Sequence, residues 1–166
     1  MRNSMINRKL GGKRLGNSAF SLIELVIVVV IIAIIGAIAI PKMSRGAAGA
    51  SDAALIQDLS VLRSALDLFQ TENGGIYPTA ANVVTGLTGY SDGAGNVNLT
   101  KTSTYIYGPY LKAIPALPVA AVRKGQSGIG TADGPTIGWI YVAATGSINA
   151  NTTTEADTKG TLYNTY

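Results

Sequence analysis

The side chain with the most unusual chemical setting in this sequence is Glu24. It is the only ionisable group in residues 20–40, FSLIELVIVVVIIAIIGAIAI, where Ser21 is the only other polar side chain. An acid near the middle of a bilayer costs roughly 2.5–3.5 kcal/mol on insertion scales. A carboxylate retained in such a run therefore calls for a partner, and the chemistry it offers is pairing with a cation in a low dielectric. Glu24 lies toward the leader end of the run, where the cost is smaller. An interfacial carboxylate snorkelling to water is the plainer account of it.

Few other chemistries are open to the chain. It has no Cys and no His, which removes disulfides, thiolate nucleophiles, imidazole bases and zinc or haem ligation by those side chains. Hydrolysis would need a Ser-Lys pair or paired carboxylates, and no spacing announces either. The chain is not expected to be an enzyme. The glycine-rich stretch 125–134, GQSGIGTADG, lacks the flanking strand, helix and lysine of a phosphate cradle and reads as a mobile loop. The net charge of +4 points to nucleic acid only until the charges are located. Arg2, Arg8, Lys9, Lys13 and Arg14 all precede Ala19, and the remainder is near neutral, so no basic stripe is left for direct nucleic-acid binding.

The element that must position Glu24 is a helix. At about 1.5 Å per residue the apolar run spans roughly 30 Å, the thickness of a bilayer's hydrocarbon. With the basic cluster before it, the positive-inside rule places the leader in the cytoplasm and the rest of the chain across the membrane. An ordinary secretory signal with a small-residue site at Ala37-Ile38-Ala39 is the alternative. The length of the run and the carboxylate inside it weigh against that reading.

A basic leader, a small residue, then Phe20-Ser21-Leu22-Ile23-Glu24-Leu25 and an Ile/Val-rich run reaching Pro41 is similar to the class III signal of type IV pilins and pseudopilins. The resemblance implies cleavage by a prepilin peptidase between Ala19 and Phe20, N-methylation of Phe20, and an assembly role for Glu24 opposite the Phe20 amine of a neighbouring subunit. It also implies that Pro41, with Gly46 and Gly49, marks a kink or flexible section of a long assembly helix. The family usually has Gly before the cleavage point, where this chain has Ala19.

Beyond Pro41, Leu55, Leu59, Leu62, Leu66 and Phe69 follow the spacing of one helical face. Lys42, Asp52, Asp58, Arg63 and Asp67 fall off that stripe, and Gly74-Gly75 should end the helix near Asn73. The stripe is expected to pack under a sheet. Later segments are short, β-prone and broken by Gly, Asn, Pro and Thr, and GWIYVAATGSIN predicts a hairpin with Trp139 and Tyr141 on one face.

The expected fold class is α+β: a long N-terminal helix, half transmembrane and half amphipathic, packed on a small antiparallel β-sheet head. The expected divisions are a cleaved leader 1–19, a transmembrane and assembly helix 20–41, its amphipathic continuation 42–73, and an extracytoplasmic head 74–166. The Trp139/Tyr141 hairpin resembles one common in heads of the family, and Tyr77-Pro78 and the run Gly108-Pro109-Tyr110-Leu111 resemble segments of type II secretion major pseudopilins. Ala116-Leu117-Pro118-Val119 departs from that family's acidic, aromatic stretch, and residues 123–133 read as a family-specific loop.

Major pseudopilins can bind calcium in C-terminal loops. Here Asp92 to Asn96 in SDGAGN, or Glu155 and Asp157, offer oxygen ligands of the right kind without a complete set. A turn accounts for the first and a solvated loop for the second, so no cofactor is expected. The resemblance implies a homo-oligomeric helical filament of an inner-membrane, single-pass subunit with a periplasmic head. Its partners would be the prepilin peptidase, an inner-membrane assembly platform, minor pseudopilins and membrane lipid. Its role would be that of a pseudopilus subunit driving protein export. The alternatives are a pilin of a surface filament, serving adhesion, motility or DNA uptake, and a monomeric membrane-tethered binding module.

Overall fold

The computed structural model describes residues 21–166, so Ala19 and Phe20 lie outside the described residues. The chain divides into two compact units, Met1–Pro41 and Lys42–Tyr166. Helix α1 is Leu22–Glu72, and its assignment carries through Pro41. Proline has no N–H to donate to the carbonyl four residues back, so one rung of the helical ladder is absent there.

In the second unit the predicted stripe is buried: Leu55, Leu62, Leu66 and Phe69 are fully covered and Leu59 nearly so. Each such side chain contributes about 1.5–3 kcal/mol of transfer free energy. The helix stops where the chain turns left-handed at Gly74 (φ 67°) and Gly75 (φ 83°). The Gly75 N–H donates back to Gln70 O at 2.9 Å, and the buried Asn73 side chain donates to Phe69 O at 2.8 Å, so the last-turn carbonyls are satisfied.

A short helix, α2 (Val83–Thr88), follows and buries Val83, Gly86 and Leu87. A small hairpin pairs β1 (Tyr90–Ser91) with β2 (Val97–Asn98). The larger sheet is ordered β3 (Gly128–Gly130), β4 (Ile137–Val142), β5 (Ser147–Ala150). The predicted hairpin is β4 and β5, with Trp139 opposite Ala150 and Tyr141 opposite Ile148, and all four pack into the core with the α1 leucines. Trp139 Nε1 donates to Pro115 O and the Tyr141 hydroxyl to Pro78 O, each at 2.9 Å. The two polar tips are thus satisfied inside the core.

Two expectations change. The sheet is mixed, because β3 runs parallel to β4. The stretch 125–134, expected as a mobile loop, instead supplies β3. Close approach explains why glycines sit there: a Cβ on Gly138 would lie 2.1 Å from Gln126 O, and one on Gly128 2.4 Å from Thr136 O. The glycines let two backbones pass at a distance that side chains forbid.

Candidate functional site

The first unit's described residues carry the candidate site. An 18-residue window of α1 there has a mean hydropathy of 3.2 and none of it is buried. Leu22 is 80% exposed, Ile32 62% and Ile40 71%, so no described residue covers this surface. Exposed aliphatic area of that extent needs lipid or other protein around it.

Glu24 stands in the first turn of α1. Its Oε2 accepts the Ser21 backbone N–H at 3.3 Å. Ser21-Leu22-Ile23-Glu24 is the S-x-x-E pattern of a capping box, in which the third-position acid satisfies an orphan N–H before the helix. A carboxylate there also faces the positive end of the helix dipole. Pairing with a cation and snorkelling to water are the two expected uses of Glu24, and capping is a third that was missed although the S-x-x-E spacing signals it.

Asp52 and Arg63, which fall off the leucine stripe, are both drawn inward. Asp52 is 9% exposed. Its carboxylate accepts the Thr158 N–H at 3.1 Å, the Thr158 hydroxyl at 3.0 Å and the Tyr163 hydroxyl at 2.8 Å. Arg63 Nη2 donates to Ile148 O and Asn149 Oδ1, each at 3.1 Å, and to Tyr166 O at 2.5 Å. Glu72 accepts the Tyr110 hydroxyl at 2.7 Å. Burial pushes the Tyr110 phenol up to about 12, with the neighbouring Glu72 carboxylate acting in the same direction.

The carboxylates of the two candidate calcium loops are engaged by donors of the chain itself. Asp92 accepts N–H bonds from Ala94 at 2.9 Å and Asn96 at 3.1 Å, and the Asn96 side chain at 2.7 Å. The Asn96 amide and these backbone donors hold its carboxyl below the usual range. Glu155 accepts the Ala121 N–H at 2.6 Å, and Asp157 accepts the Lys159 and Thr161 N–H groups and the Tyr166 hydroxyl. Among the described residues, no three acidic side chains converge.

An uncovered apolar helix beginning at Leu22, with a carboxylate in its first turn, follows the predicted cleavage point. Residues 14–40 match the prokaryotic N-terminal methylation motif. The matched stretch spans Ala19, Phe20 and Glu24 and stops just before Pro41. No curated protein and no solved structure matches the chain.

The match, confined to residues 14–40, supports a type IV pilin-like or pseudopilin subunit. The motif implies processing by a prepilin peptidase and filament assembly in general terms. The motif and the apolar helix together fit membrane anchoring. The long helix with small antiparallel and mixed sheets is an α+β, pilin-like fold.

Proposed function

We propose that this pilin-like chain is the structural subunit of a type II secretion pseudopilus, cut between Ala19 and Phe20 and methylated on Phe20. The observation that carries the reading is Glu24: a carboxylate in the first turn of an otherwise apolar, uncovered helix, inside a methylation motif. In the membrane its bond to the Ser21 N–H offsets part of the desolvation cost. In a filament the Phe20 amine of a neighbouring copy supplies the cation and sets axial register. Pro41 lies at the boundary between the two units, where the missing helical rung gives the assembly helix a point of adjustment.

Support for the pseudopilus within the pilin-like class comes from the head. Gly108-Pro109-Tyr110-Leu111 hangs on α2 through the Tyr110 and Leu111 N–H groups, which both donate to Leu87 O. Trp139 and Tyr141 are locked in the core by their polar tips. The subunit sits in the inner membrane with its head in the periplasm, recruited by an assembly platform and minor pseudopilins.

Intact mass and N-terminal sequencing of the native membrane fraction test the processing. A start at methyl-Phe20 is expected, and a start at Ile40 or an uncut Met1 would overturn the reading. Glu24→Leu should insert in the membrane normally and fail to enter filaments. Deleting the chain should leave exported proteins in the periplasm, whereas normal export with loss of a surface filament would reassign it to surface pili.

A further inference from the structure

The half-buried acids of the second unit nearly all have partners within the chain: Glu72 holds Tyr110, Asp92 closes its turn, and Glu155 and Asp157 accept backbone N–H groups. Asp58 differs. It is half-buried on α1, and among the described residues it takes part in no hydrogen bond or ion pair. Burial pushes its carboxyl up with nothing to offset the cost.

Its surroundings make a stripe. Asp58, Val61, Ala65 and Leu68 share one face of α1 at i, i+3, i+7 and i+10. Val61 is 40% and Leu68 49% exposed. Val61 and Leu68, with Tyr110, Leu111 and the buried Ala65 beneath, line an open groove, and Asp58 lies about one turn before it.

A complementary face lies earlier in the same helix and the same unit. Lys42, Arg45, Gly46 and Gly49 stand at i, i+3, i+4 and i+7, all exposed. Neither cation is in an ion pair among the described residues, and, the local helix backbone and chain neighbours apart, nothing lies within 4 Å of where a Cβ on either glycine would sit. Two cations beside two glycines allow a second helix to approach closely while meeting a negative charge.

We propose that the Lys42/Arg45/Gly46/Gly49 face of a second copy packs in parallel against the Asp58/Val61/Ala65/Leu68 stripe, displaced by about 20 Å along the helix axis at ~1.5 Å per residue. Arg45 and Lys42 then meet Asp58, and the glycines lie against Val61. This rests on the filament reading, in which membrane anchoring holds all copies parallel. Because the two faces are different residues, the contact is heterologous and repeats along a filament rather than closing into a pair.

The test uses the full-length chain in its native membrane, with Gly46→Cys and Val61→Cys combined. The chain has no Cys of its own. The two positions are about 22 Å apart along one helix, far beyond disulfide reach, so every bond formed links two copies. Oxidation should give a ladder of covalent multimers from the double variant and at most dimers from each single one. Filaments of normal abundance with no ladder would overturn the proposed register and leave the filament reading standing. A wild-type chain that forms no filaments would overturn both. Independently, Asp58→Arg should cut the filament fraction several-fold, and adding Lys42→Glu with Arg45→Glu should restore it. Normal assembly of Asp58→Arg, or no recovery in the triple variant, would overturn the charge contact.

Discussion

Replacing Asp52 by Ala removes the acceptor that holds the C-terminal segment to α1. The side chain is nearly buried and receives three hydrogen bonds, from the Thr158 N–H, the Thr158 hydroxyl and the Tyr163 hydroxyl. A hydrogen bond to a charged acceptor contributes about 1.5–3 kcal/mol, and water that enters after truncation recovers part of each. A net loss of about 2 kcal/mol follows, equivalent to a drop of roughly 5–10 °C in melting temperature for a unit of this size. Asp52→Asn keeps one carbonyl acceptor and should lose about half as much. The chain has a single tryptophan, and Trp139 is fully buried in the head core. Its fluorescence in detergent-solubilised protein therefore reports unfolding of the second unit. An Asp52→Ala midpoint equal to wild type would refute the reasoning, because the contact would then contribute nothing beyond what water supplies.

Gly146→Ala should destabilise the head by more than the ~1–2 kcal/mol of a left-handed non-glycine residue, because Gly146 has φ 70° and a Cβ there would lie 2.3 Å from the Tyr77 ring; chemical denaturation measures it. Leu62→Ala, at a fully buried position, should cost about 2–5 kcal/mol, read by the same method. Tyr110, Tyr141 and Tyr163 are each pushed up to about 12, mainly by burial. Raised phenol values favour the neutral form in the folded state, so their stabilisation is complete below about pH 10 and is lost as pH rises toward 12. Calorimetry should find a melting temperature insensitive to these phenols at neutral pH and falling across that alkaline window.

The parts of this molecule that sequence alone determined are those governed by period and composition. An apolar run long enough for a bilayer, the leucine spacing from Leu55 to Phe69, the Gly74-Gly75 stop and the alternation through Trp139 and Tyr141 are each local, so a few neighbouring residues suffice to read them. The capping use of Glu24 was local too, written in the Ser21 spacing. Tertiary structure alone decided the rest. Asp52 and Arg63 look like solvated charges on a helical wheel, and only the returning chain turns them inward, across separations of 106 residues from Asp52 to Thr158 and 103 from Arg63 to Tyr166. Strand β3 has too few side chains to signal itself and exists because glycines let it lie parallel to β4. Asp58 differs from its neighbours only by what fails to reach it. Such partnerships depend on which distant segment arrives, and that is set by packing the whole core rather than by any window of the chain.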